Sequence, residues 1–72
     1  MTDTKRFKAV LTLKGMTAGE LAEKIGTTHA SISLKIRNKR EFKASEIARI
    51  SEVLKLSLEE KEQIFFAQPV DK

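Results

Sequence analysis

Apolar side chains recur along the chain at intervals of three and four residues and almost never alternate, the spacing of one helix face rather than of a strand. Phe7, Val10 and Leu11 form the first stripe, in a segment that Gly15 closes. Leu21 and Ile25 share a face in the next, and the small Ala22 between them lets a second helix approach closely. Thr17 and Glu20 stand three apart, as in a capping box, so the second helix is predicted over about residues 18–25. Gly26 follows it. A left-handed backbone costs a residue with a Cβ roughly 1–2 kcal/mol and glycine almost nothing, so Gly26 suits a sharp turn. Thr28 then caps a third helix over about residues 29–37, with Ile32 and Ile36 turned inward and Asn38 as a tolerable left-handed end. Ile47, Ile50 and Leu54 stripe a fourth helix. Ser57 and Glu60 open a fifth, which carries Ile64, Phe65 and Phe66 and stops before Pro69.

The predicted class is therefore all-α, a bundle of five helices in a single domain over residues 1–72, with the ends at about 1–3 and 69–72 frayed. Leu21, Ile25, Ile32, Ile36, Ile47 and Ile50 are the predicted core. Phe42, in the loop from Asn38 to Lys43, gains most by turning under that loop. Phe65 and Phe66 fall on adjacent faces, so one monomer core does not easily bury both, and they are candidates for a protein interface.

With 72 residues, one small core is all the chain can build. It has no Cys and a single His, which leaves neither a disulfide nor a plausible transition-metal site and suits a reducing cytoplasm. No cofactor and no small-molecule substrate are expected. No apolar run approaches the roughly 18 residues of a membrane span. The charge changes the picture more. Residues 1–43 carry ten Lys or Arg against Asp3, Glu20, Glu23 and Glu41, a surplus of +6, whereas residues 44–72 carry four against six. Basic residues crowd behind the third helix, at Lys35, Arg37, Lys39, Arg40 and Lys43, which points either to a surface that faces a polyanion such as nucleic acid or to an excess of lysine that serves solubility alone.

From Thr17 to Leu56 the chain resembles the helix-turn-helix domain of the Cro and repressor type. Leu21-Ala22-Glu23-Lys24-Ile25-Gly26, then Thr28, Ser31-Ile32-Ser33 and Asn38-Lys39-Arg40, match that family in residue type and spacing together. The form running through Arg40-Glu41-Phe42, Ser45-Glu46-Ile47, Leu54-x-Leu56-Ser57-x-Glu59-Glu60 and Ile64-Phe65-Phe66 looks like small regulators from temperate phages of Gram-positive bacteria. The resemblance implies operator DNA as ligand, in the cytoplasm of a bacterial host, with a homodimer or a phage repressor as further partners. Thr27 departs from the pattern, standing where the family usually has an aliphatic core residue. Ala18 stands where a glutamine often holds a phosphate.

At about 100° per residue, with Ile32 and Ile36 inward, the outward face of the third helix collects Ala30, Ser33, Leu34 and Arg37. Arg37 can grip guanine O6 and N7 with its fork, or simply touch phosphate. Thr28, His29 and Ser33 offer hydrogen bonds to base or phosphate, although a capping Thr and a surface Ser need no function. Ala30 and Leu34 suit thymine methyls, or a protein surface. Lys35, Lys39, Arg40 and Lys43 are candidate phosphate contacts, against the alternative of a merely solvated loop. His29 and Ser33, four apart, lack an acid orienter and an oxyanion donor, so no catalytic site is expected. The rival to DNA binding is an antirepressor that keeps this fold but docks on a repressor through Ala30 and Leu34 or through Phe65 and Phe66.

Overall fold

Side-chain oxygens of Asp3, Thr17, Thr28 and Ser57 accept the backbone N–H groups of Arg6, Glu20, Ser31 and Glu60. Each marks a helix start in a computed structural model that describes residues 2–66. The helices are α1 (Thr4–Leu13), α2 (Ala18–Ile25), α3 (His29–Ile36), α4 (Ala44–Leu54) and α5 (Leu58–Phe65). No strand occurs among the described residues. Both predicted capping boxes are complete, with Glu20 and Glu60 accepting the Thr17 and Ser57 N–H groups at 2.9 Å. The helix α4 has no hydroxyl cap, and Glu46 instead accepts the Lys43 N–H at 2.8 Å. Gly15, Gly26, Asn38 and Lys55 take positive φ at the ends of the first four helices, where an unsatisfied last turn needs the chain to reverse.

Phe7, Leu21, Ile32, Ile50 and Ile64 are the largest fully buried side chains, one from each helix. The core closes where α2 meets α3 and α4, and where α1 meets α5. Ile47, predicted to be core, is half-buried and packs against its edge. Phe42 does turn inward. Its ring stacks on Phe7 at 5.7 Å and meets Phe65 edge-on at 5.3 Å, while Phe7 and Phe65 meet edge-on at 5.5 Å. These three rings join α1, α5 and the α3–α4 loop in geometries that favour aromatic pairs.

Two expectations need correction here. Phe65 is a core residue and not an interface candidate, because this ring cluster buries it, whereas Phe66 beside it remains 54% exposed. Nor are residues 2 and 3 frayed. Thr2 is only 7% exposed, and the Asp3 N–H donates to Ile64 O at the end of α5 at 2.7 Å, so an otherwise unpaired helix-end carbonyl ties the segment down. Met1, Pro69 and the expected fraying at 69–72 lie outside the described residues.

Phe42→Ala is expected to lower unfolding free energy by about 2–4 kcal/mol, since it empties one side of a three-ring contact. Phe66→Ala should stay within about 0.5 kcal/mol, as an exposed position. Urea unfolding of both variants checks the contrast, and similar losses would contradict it.

Candidate nucleic-acid interface

The turn between α2 and α3 begins at Gly26, whose φ is 81°. An added Cβ would meet nothing closer than Arg49 Nη1 at 3.9 Å, so the backbone angle and not space calls for glycine here. The N–H of Gly26 reaches Ala22 O and Glu23 O, and Thr27 N–H bonds Ala22 O at 2.9 Å. From α4, Arg49 donates to Ile25 O at 3.3 Å, holding a carbonyl that the end of α2 leaves unpaired. Extended backbone at Thr28 then lets its hydroxyl accept the Ser31 N–H at 3.1 Å. The helix α3 starts at once.

Burial of Ile32 and Ile36 sets the rotation of α3. His29, Ala30 and Arg37 are exposed on its outward side beside the exposed cap Thr28, with Ser33 and Leu34 half-buried between them. Arg37 Nε makes one long bond, 3.4 Å, to Ser33 O, which uses one of five guanidinium donors. Past the helix end, the N–H groups of Lys39 and Arg40 both bond Leu34 O, at 2.8 and 3.3 Å. That turn keeps Lys39 and Arg40 exposed beside the end of α3, and Lys43 is exposed at the start of α4. All nine candidate positions are thus exposed or half-buried, from the α3 N-terminus through the loop behind it.

Lys35 does not join them. Its side chain lies on the α4 side of the helix, is 8% exposed as a residue, and its Nζ donates to Glu46 Oε2 at 2.5 Å. Burying an ammonium is costly without a partner, and Glu46 is that partner, so Lys35 is an internal tie and not a phosphate contact. Glu46 holds two elements at once, Lys35 through Oε2 and the Lys43 N–H through Oε1. Burial pushes the Glu46 carboxyl up, but the bonds from Lys35 and the Lys43 N–H, together with both lysine charges, outweigh this and hold it below the ordinary value.

Sequence reasoning overlooked Lys8. A cleft of about 270 Å³ is lined by Lys8, Leu11, Ala18, Ser33, Ile36 and Arg37, so the exposed Lys8 of α1 borders the same surface next to Ala18. The +1 spacing from buried Phe7 placed Lys8 at the rim of its helix, but only packing of α1 against α2 and α3 could show which rim. Ala18 is itself partly buried against the core, and Thr27 is half-buried, so neither family departure opens the fold.

A helix-turn-helix family model matches residues 7–61 of the chain. No curated protein matches it. No helix among the described residues is long and apolar enough to cross a membrane.

Since Glu46 titrates below its ordinary 4.5 in the folded state, its share of stability is present above that value and lost as pH falls through the lower folded pKa. Glu46→Gln is expected to cost about 1–3 kcal/mol at neutral pH and to flatten the fall of Tm with acid as pH drops below the ordinary 4.5. Thermal unfolding by circular dichroism across that range checks it. An unchanged acid limb in the variant would show that Glu46 does not tie α3 to α4.

Proposed function

Because the chain belongs to the Cro/repressor-type helix-turn-helix family of DNA-binding regulators, we propose that it regulates transcription in a phage genetic switch by laying α3 in the major groove of operator DNA. What supports this reading is that Thr28, His29, Ala30 and Arg37 are exposed and Ser33 and Leu34 half-exposed on the helix that follows the turn, with the exposed cations Lys39, Arg40 and Lys43 in the segment behind it. In this reading, Arg37 addresses a guanine edge, Ala30 and Leu34 meet thymine methyls, and Thr28, His29 and Ser33 bond base or phosphate. Lys39, Arg40 and Lys43 neutralise phosphates at the far end of α3, and Lys8 does so beside Ala18, where the family often has its glutamine. The bacterial cytoplasm, where that DNA is found, is the site of action.

A second reading rests on the same face. Ala30 is exposed and Leu34 half-exposed with Arg37 as the one charged side chain among the outward residues of α3, an apolar bias unusual for a surface that only meets DNA. In that reading the protein is an antirepressor, and this patch, or the exposed Phe66, docks on the phage repressor. Phe65, being buried, takes no part.

Selection from random duplexes would give the preferred DNA sequence. On it, Arg37→Ala is expected to lose about 1–3 kcal/mol of discrimination between bases, while Lys39→Ala weakens all sequences alike and lowers the salt slope by about 1. No retention of any duplex at low salt by the unmodified chain would end the DNA reading. The antirepressor reading is tested by Leu34→Asp, which should abolish capture of the purified repressor while leaving Tm within a few degrees. Capture that survives the substitution would remove this face from the docking surface.

A further inference from the structure

The segment Thr2–Thr4 makes a set of bonds that the family pattern from Thr17 onward does not contain. Thr2 N–H donates to Asn38 Oδ1 at 3.0 Å, and Asn38 Nδ2 donates back to Thr2 O at 2.7 Å. The Asn38 amide thus pairs with the Thr2 backbone much as a neighbouring strand would. Two residues on, Thr4 Oγ1 donates to Ile36 O at 2.6 Å, one of the carbonyls that the end of α3 leaves unpaired. Asp3, between them, is fixed by its N–H to Ile64 O and by its cap on Arg6. The segment that leads into α1 is therefore anchored on α5 and, with Thr4, grips the end of α3 at two points.

What they grip matters. Asn38 has φ 64°, the left-handed conformation that reverses the chain after α3, and Lys39 and Arg40 follow it directly, both folded onto Leu34 O. Without its partners the Asn38 side chain would leave this conformation to a two-residue turn bounded by exposed, mutually repelling cations at Arg37, Lys39 and Arg40. We propose that Thr2, Thr4 and Asn38 form a clamp that sets the pose of the cationic turn behind α3, and that Asn38 and Thr4 are positioning residues for its phosphate contacts. This rests on the DNA-binding reading above. The clamp touches no DNA of its own through Thr4, whose hydroxyl is committed to Ile36 O.

The test compares Asn38→Gly, which keeps the left-handed angle but removes the amide, with Thr4→Val, which removes only the hydroxyl bond, and Thr4→Ser, which restores it. Ile50→Val, in the core on α4 and bonded to none of these residues, supplies a control that lowers stability without touching the clamp. Hydrogen exchange on the free proteins should show the Lys39 and Arg40 amides losing protection relative to core amides in Asn38→Gly and Thr4→Val, and recovering it in Thr4→Ser. Titration with the selected duplex should show the salt slope falling by about 1–2 in the same two variants, as one or two phosphate contacts lose their fixed geometry, and not in Ile50→Val or Thr4→Ser. Unchanged exchange at Lys39 and Arg40 overturns the clamp. Changed exchange with an unchanged slope shows bonds that serve stability alone and overturns the positioning role. An unmodified chain that retains no DNA overturns the parent reading, and the role proposed here with it, while the exchange data still report whether the bonds hold the turn.

Discussion

Ile32 is 0% and Ile36 4% exposed, and their burial in the core fixes the rotation of α3 about its own axis. Full burial of an aliphatic side chain is worth roughly 1.5–3 kcal/mol, so turning α3 by even one residue would forfeit much of a small core. With the rotation set, the outward positions have no freedom left. Ala30 and Arg37 must face solvent, Lys35 must face α4, and the chain leaving α3 must reverse at Asn38. Gly26 and Thr28 act earlier on the same helix, by fixing where it begins. Lys35 and Glu46 act later, by tying its inner flank to the helix that follows. Each of these contributions adds to the others because each restricts a different motion of one eight-residue element.

The ionic arrangement follows from that geometry. Cations that the packing leaves outward, at Arg37, Lys39, Arg40 and Lys43, remain exposed, while the one that the rotation turns inward finds a carboxylate. Had Glu46 been absent, Lys35 would have needed to escape to solvent, and α3 would have lost its fit to α4. The surface thereby gains a concentration of unspent positive charge beside a helix that projects few polar groups. In the DNA complex proposed above, these charges supply unspecific attraction, and the choice of sequence would fall on Arg37 and on the shape that Ala30, Ser33 and Leu34 present.

Much of this was legible in the residue order because local rules and tertiary packing agree. The capping pairs at Thr17 and Ser57, the glycine at 26 and the threonine at 28 each act within four residues, so their consequences follow from spacing alone. The rotation of α3 was legible for the same reason, since Ile32 and Ile36 stand one turn apart. What the residue order concealed depends on which elements meet. Lys35 looked like its exposed neighbours until α4 brought Glu46 against it, and Phe65 looked interchangeable with Phe66 until Phe7 and Phe42 enclosed one ring of the two. Thr2 and Asp3 looked like a loose end because their partners, Asn38 and Ile64, are distant in the chain. Lys8 needed the placement of α1 beside α3.

In the function proposed above, the face fixed by Ile32 and Ile36, with the cationic turn behind it, is the surface that meets DNA. Amide chemical-shift mapping of the labelled protein titrated with a duplex at low salt tests it most directly. Shifts concentrated on residues 28–30, 33, 34, 37, 39, 40 and 43, with Lys8 beside them, are the predicted result. Shifts confined to the α1–α5 cleft at Ala9, Val10 and Gln63, or none at all with the duplex in excess, would contradict it.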